Sequence, residues 1–154
     1  MRWEQGRAEI DRMLAVGDLE RVRPSRQHAD RLIGQARRHL DSARMTCESD
    51  PEGAYSVLYD AARKALWAVL ANQGLRPTTK GGHLAVYQAV KAQLDPPMGL
   101  QLRPFDRMRR QRHIAEYPRL DSPELRADDI RDDVPKIRVI VEIAERVLES
   151  MSVY

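Results

Sequence analysis

The arginine-rich stretch from Arg103 to Arg119 holds the residue types in this chain that are best suited to chemistry. Six arginines stand here against two acids, Asp106 and Glu116. Guanidinium groups bind phosphates, and the same stretch contains His113, whose imidazole titrates close to neutral pH. Cleaving a phosphodiester without a metal requires positive charge on the reacting phosphorus and groups that move protons. Arginine and histidine together supply both.

Helical periodicity places one of these arginines on the apolar side of its helix. Phe105, Met108 and Ala115 recur at the spacing of a single helix face, and Arg112 falls on that face as well. A guanidinium that points inward is costly unless an anion meets it. We therefore predict that Arg112 faces either an acidic partner within the fold or a substrate phosphate.

The composition indicates the kind of scaffold that positions this stretch. The 154 residues are enough for one domain with a real core; 32% of them are charged and only 5% are aromatic. This balance favours helices over a sheet. We predict an all-α fold, an up-and-down bundle of four to five main helices plus a short N-terminal helix. Residues 1–24 would form that helix and a link, and residues 25–154 the bundle.

Charge and cysteine content exclude several classes of site. The net charge of +3 is a mild excess that does not by itself indicate nucleic acid, so the clustering of the arginines matters more. A single cysteine, Cys47, excludes an internal disulfide and, with four scattered histidines, argues against structural zinc. We predict no metal and no cofactor. No apolar run approaches about 20 residues and no signal-peptide pattern opens the chain, which leads us to expect a cytoplasmic protein without a membrane role.

Local signals mark the helix boundaries. A weak amphipathic pattern over residues 2–16 predicts the first helix, followed by an extended link at 21–24. Ser25 is a plausible N-cap for a second helix that reaches about residue 48. Asp50-Pro51 then starts the third helix, and Gly74 ends it. Because its small alanines let neighbouring helices approach closely, we expect the third helix to be the centre of the core.

The second half of the chain contains a glycine-containing loop and two more helices. Residues 75–82 form the loop, in which Lys80 and the glycines could contact a phosphate or could form a plain turn. A helix from His83 to Leu94 follows. We predict that Pro104 begins the arginine-rich helix at its first turn and that Pro118 ends it. The last helix lies within residues 123–151, and its apolar seam could be core or a dimer contact.

Several segments of this pattern resemble the HEPN superfamily of small all-α proteins, and an actinobacterial HEPN subfamily in particular. The resemblance covers roughly residues 25–150. It rests on the runs Gly74–Thr78, Gly81–His83, Phe105–Arg110 and Arg112–Pro118.

Membership of this superfamily would imply a function. Many HEPN proteins are metal-independent endoribonucleases, often toxins or defence effectors, whose motifs face one another across a dimer. The motif is an Arg, a polar residue, three variable positions and a His; Arg112 matches the Arg, His113 the polar residue, and Tyr117 stands where the His should be. A looser register pairs Arg107 with His113. Arg107 and His113 are six residues apart and would not share a helix face, whereas Arg109, His113 and Tyr117 would.

The resemblance also implies partners. We expect a homodimer that acts on RNA, with Arg112, His113 and Tyr117 in the catalytic site and Arg107, Arg109 and Lys80 binding substrate. Some HEPN toxins pair with a nucleotidyltransferase antitoxin that modifies a tyrosine beside the motif, and here Tyr117 would be the acceptor. A phenol is a poor base at neutral pH, so cleavage would depend on His113.

A non-catalytic interpretation of the same residues stays open. Arg112 could bond Glu116 one turn along the helix, and His113 could be a packed ring. The protein would then be a degenerate HEPN interaction module that binds RNA or a partner protein.

Overall fold

The computed structural model describes residues 3–154, and these form six helices and one short pair of strands. The predicted all-α bundle is confirmed. The helices are α1 (Arg7–Ala15), α2 (Arg26–Thr46), α3 (Pro51–Gln73), α4 (Gly82–Leu94), α5 (Gly99–Glu116) and α6 (Ala127–Ser150); the strands are β1 (Leu19–Arg21) and β2 (Leu75–Pro77).

Helix α3 is the centre of the core, as its alanine content predicts. It packs against α2, α4, α5 and α6. Its alanines at 54, 61, 62, 65 and 68 are almost completely buried, which lets the neighbouring helices come close to its backbone. The tyrosines Tyr55 and Tyr59 are also buried and lie on the side of α3 that meets α5. Through Tyr59 the central helix therefore reaches the arginine-rich helix directly.

The boundary signals of α2 and α3 act as predicted. The Ser25 hydroxyl accepts the backbone N–H of His28 at 3.1 Å, and the Asp50 carboxylate accepts that of Gly53 at 3.0 Å. At the other end of α3, Gly74 adopts a φ of 83°, where a side chain would be strained and would also collide with Pro24.

The two strands are a feature that the sequence did not predict. Leu19–Arg21 pairs antiparallel with Leu75–Pro77, where we expected part of a link and part of a loop. Three residues are too few to show the alternating pattern that identifies a strand. The pairing becomes visible only when α3 brings residue 74 next to Val22, whose N–H donates to the Gly74 carbonyl at 2.9 Å.

The start of α5 corrects another prediction. The helix begins at Gly99, so Pro104 lies inside it and not at its first turn. The added turn contains Leu102, which is completely buried, and this burial helps the helix to extend ahead of the proline. The predicted end is confirmed, since the helix stops at Glu116, one residue before Tyr117 and two before Pro118.

The apolar seam of α6 packs into the core of the single chain. Pro135 lies inside the helix, which begins eight residues earlier. The seam residues are all buried: Ile130, Val134, Ile137, Val141, Ala144, Leu148 and Met151. Across residues 3–154, each helix is too short or too polar to cross a membrane.

Candidate functional site

Arg112 points toward the core, as the periodicity predicts. Phe105 and Met108 on the same face of α5 are completely buried, and Ala115 is partly buried. The Arg112 guanidinium lies over the ring of Tyr59, with its central carbon 5.1 Å from the ring centroid. Contact with an aromatic face partly replaces the water that an inward guanidinium loses.

An acid on the same helix meets Arg112. The Glu116 carboxylate forms an ion pair with Arg112 Nη2 at 2.8 Å. The side chain of Arg112 is 31% exposed and that of Glu116 is 34% exposed. Pairs of this kind, one helical turn apart and open to solvent, stabilise a helix by only about 0.3–0.5 kcal/mol. An incoming phosphate could therefore compete with Glu116 for the guanidinium.

A histidine from another helix lies on the other side of Arg112. His83, the second residue of α4, has its Nδ1 3.4 Å from Arg112 Nη1 and 2.8 Å from the Tyr59 hydroxyl. Burial raises the pKa of Tyr59 to about 12, so its hydroxyl keeps its proton at neutral pH. Helices α3, α4 and α5 thus each contribute one polar side chain to a single cluster.

The surroundings of this cluster keep the imidazole uncharged. Burial and then the positive charges of Arg63 and Arg112 lower the pKa of His83, and Asp60 opposes the shift. Arg63 and Asp60 themselves pair at 3.2 Å on α3. At neutral pH His83 is a neutral ring in a region of positive potential.

The positive surface continues from α5 across α3 to α2. Lys64 Nζ lies 2.8 Å from His39 Nε2, and burial followed by the charge of Lys64 lowers the pKa of His39. Arg63 also lowers the pKa of His39, as it does that of His83, so its charge acts on both histidines. We call the set of Arg112, His83, Arg63, Lys64 and His39 the basic strip.

The other predicted motif residues lie on a more exposed side of α5. The His113 and Tyr117 rings contact each other with centroids 5.2 Å apart, so they share a face as expected, and both are exposed. Arg109 turns back to Asp106 at 2.9 Å. Within one chain, therefore, Arg112 and His113 are neighbours in sequence whose side chains lie in different surroundings.

Two of the predicted substrate-binding residues are placed elsewhere. Arg107 donates to both carboxylate oxygens of the buried Asp133 on α6, beside a cleft of about 550 Å³ between α5, α6 and the segment 118–125. Lys80 donates to the Val16 carbonyl at 2.6 Å. Neither side chain lies in the basic strip.

Comparison with protein families gives a match over residues 29–153, nearly the whole chain, to the family described as HEPN domain. The chain belongs to the HEPN domain family. This family includes ribonucleases. Comparisons with curated proteins and with solved structures found no match.

Sequence reasoning did not identify three side chains of the candidate site: Tyr59, Arg63 and His83. His83 was noted as the residue after the glycines, but its spacing gives no sign that it meets α5. Tyr59 and Arg63 stand one turn apart on α3, which a sequence shows, but nothing in the sequence relates that face to Arg112.

Within residues 3–154 the structure contains no group of three or more His, Cys, Asp or Glu side chains that could hold a metal ion.

Proposed function

We propose that this HEPN protein is a metal-independent endoribonuclease of the toxin or defence type, with a site built from Arg112 and His113. The observation that carries the proposal is the position of Arg112. Its side chain is directed inward, is still 31% exposed, and belongs to the basic strip. Such a strip suits the backbone of a single-stranded RNA, because every phosphate carries a negative charge.

The proposed reaction is an internal transesterification. The 2′-oxygen of a ribose attacks the adjacent phosphorus while its proton passes to a base, and the bond from phosphorus to the 5′-oxygen breaks as that oxygen takes up a proton. The products are a 2′,3′-cyclic phosphate and a free 5′-hydroxyl. Arg112 stabilises the charge on the pentacovalent phosphorus, and His113 moves protons. The Tyr117 hydroxyl, next to His113, supplies a hydrogen bond.

A homodimer forms part of the proposal. Within one chain the side chains of Arg112 and His113 lie in different surroundings. A complete site would therefore form where two copies face each other and the His113 of one protomer approaches the Arg112 of the other. Beside the motif, Ile114, Tyr117 and Leu120 expose large apolar surfaces, and Leu120 is fully exposed. Exposed apolar side chains that lie close together are typical of contact surfaces.

The test is cleavage of single-stranded RNA by purified protein in EDTA. Arg112→Ala and His113→Ala are each expected to abolish cutting. Arg110→Ala, at an exposed position of the same helix, is the control and should cut like the parent. Cleavage that survives both motif changes would exclude this site.

Mixing the two inactive variants tests the dimer. A protomer with His113 intact and one with Arg112 intact would together form one complete site, so cleavage should return when the Arg112→Ala and His113→Ala proteins are combined. If the mixture stays inactive although sedimentation shows mixed dimers, the site does not form between protomers.

The second candidate is a non-catalytic module that binds RNA or a partner protein. The ion pair between Arg112 and Glu116 favours it, since that pair satisfies the guanidinium without substrate. RNA binding by a parent protein that shows no turnover would support this function.

Tyr117 is 67% exposed, which leaves its hydroxyl open to modification by a nucleotidyltransferase antitoxin. Mass spectrometry after co-expression with such an enzyme tests this; an unmodified Tyr117 would exclude it.

A further inference from the structure

His83 lies outside the Arg112–Tyr117 motif but contacts its arginine. The imidazole stands 29 residues before Arg112 in the chain, yet its Nδ1 is 3.4 Å from the guanidinium. The Tyr59 hydroxyl lies 2.8 Å from the same Nδ1, and the centroids of the Tyr59 and His83 rings are 5.6 Å apart. The position of His83 is therefore set by two contacts from two different helices.

These contacts determine which nitrogen of His83 carries the proton. Arg112 has N–H donors and no acceptor, so its approach favours a lone pair on Nδ1. The Tyr59 hydroxyl keeps its proton at neutral pH and can donate to the same lone pair. A neutral imidazole with an unprotonated Nδ1 carries its hydrogen on Nε2. His83 is thus a fixed N–H donor at Nε2.

We propose that His83 binds a phosphate of the RNA substrate: its Nε2–H, which points away from the Arg112 guanidinium, donates to a non-bridging oxygen of a phosphate next to the one that Arg112 binds. The inference rests on the proposed action on RNA and adds a residue from outside the motif. No proton is transferred through His83 and no bond forms or breaks at it. The imidazole stays neutral, and its role is to bind and orient the phosphate.

The charges that face His83 suit an anion. The charges of Arg63 on α3 and of Arg112 and Arg109 on α5 lower the pKa of His83, and Asp60, which is paired with Arg63, opposes them. Three of these charges are positive and one is negative. Arg109 is also paired with Asp106, and Arg112 with Glu116, so a phosphate that binds Arg112 must compete with Glu116. The net field at the ring is therefore positive and attracts the RNA backbone.

Binding to an RNA that cannot be cleaved tests the inference. The probe is a fluorescent 2′-O-methyl RNA of about 12 nucleotides, within the size range of single-strand sites, and its affinity is measured by anisotropy. His83→Ala removes the donor and should weaken binding about ten-fold, as expected for a hydrogen bond to a charged group. His83→Gln keeps an N–H close to the position of Nε2 and should bind within about two-fold of the parent.

His83→Asn is the matched control, because its shorter amide reaches only the position of Nδ1. It should bind as weakly as His83→Ala. Equal affinity for the parent and for His83→Ala would overturn the inference, and so would equal losses for the Ala and Gln variants. Unchanged melting temperatures of the three variants show that any loss of affinity is not a loss of fold.

The tautomer gives a readout that does not depend on RNA. Nitrogen-15 NMR of the parent should show the His83 hydrogen on Nε2 at neutral pH. In Tyr59→Phe, which keeps the ring and removes the hydroxyl, the Nδ1 signal should move as its donor is lost. A parent spectrum with the hydrogen on Nδ1 would overturn the inference.

The outcome separates this inference from the proposed nuclease. A parent that binds the probe but never cleaves unmodified RNA would contradict the nuclease and leave the role of His83 standing. A parent that cleaves, together with His83 variants that bind normally, would contradict the role of His83 alone. A parent that neither binds the probe nor cleaves unmodified RNA would overturn both.

Discussion

Arg112 Nη1 lies 3.4 Å from His83 Nδ1, although 29 residues separate the two along the chain. The contact exists because α4 and α5 both pack against α3, whose Tyr59 touches both side chains. A substitution at Arg112, His83 or Tyr59 therefore changes the contacts of the other two side chains.

Replacing Arg112 by lysine tests whether the planar guanidinium is needed. Lysine keeps the charge, but it cannot contact Glu116, the Tyr59 ring and His83 at the same time, because it lacks the planar group with several donors. We expect RNA cleavage in EDTA to fall at least about ten-fold, measured as an initial rate at saturating RNA. A lysine variant with the parent rate would show that charge alone is enough.

Neutralising Glu116 should strengthen RNA binding. The carboxylate competes with phosphate for Arg112, and an exposed ion pair is worth about 0.3–0.5 kcal/mol, so Glu116→Gln is expected to raise affinity about two-fold. Fluorescence anisotropy with the uncleavable RNA measures the change. Glu142→Gln, at an exposed position of α6 outside the basic strip, removes the same charge and controls for the change in net charge. Equal gains from both changes would point to net charge and not to Arg112.

Arg107 is expected to stabilise the fold and not to bind RNA. It pairs with Asp133, whose side chain is only 6% exposed, and Arg107→Ala would leave that carboxylate without its main partner. Lys136, 3.7 Å away, and water at the open side compensate in part, so we expect a loss of about 2 kcal/mol in the free energy of unfolding.

Urea denaturation of Arg107→Ala provides this measurement, and Arg110→Ala is the control on the same helix. The Arg110 side chain is 71% exposed, and its partner Asp106 keeps Arg109 as a second partner, so the loss of Arg110 should cost less than about 0.5 kcal/mol. A stable Arg107→Ala protein that fails to bind RNA would show instead that Arg107 binds substrate, as the sequence predicts.

The protein should be less stable at about pH 5 than at about pH 7. Burial lowers the pKa of both His83 and His39 below the usual 6.5. Between these lowered values and 6.5 the unfolded chain binds more protons than the folded chain, so the free energy of unfolding rises with pH through this window. It reaches its full value above about 6.5 and is lost as the pH falls.

Thermal or urea unfolding across this pH range checks the sign. The double variant His39→Gln, His83→Gln should show a flatter profile, because neither substituted side chain titrates. A parent protein that becomes more stable as the pH falls from 7 to 5 would contradict the burial of these two rings as neutral groups.

The helix caps were predictable because each acts within a few residues of itself. Ser25, Asp50 and Gly74 satisfy or end their own helices, and local sequence is enough to identify them. The start of α5 was not predictable, because the turn before Pro104 is stabilised by burial of Leu102 against other helices. The strands at 19–21 and 75–77 were missed for the same kind of reason, since each is a strand only through its partner.

The candidate site divides in the same way. Periodicity showed that Arg112 points inward and that His113 and Tyr117 share a face, because both statements concern one helix. The placing of Arg107 against Asp133, and of Lys80 against Val16, depends on residues that are distant in sequence. Spacing cannot reveal either contact, and substrate binding by these two residues stays a prediction.

The amino-acid sequence by itself determined that this chain is helical, where its main helices end, and which arginine turns inward. It did so because helix periodicity and caps act over a few residues. The tertiary structure alone decided which side chains meet that arginine, since Tyr59 and His83 reach it only when α3, α4 and α5 pack together. Packing between distant segments follows from the shape and burial of the whole chain, which local patterns do not record.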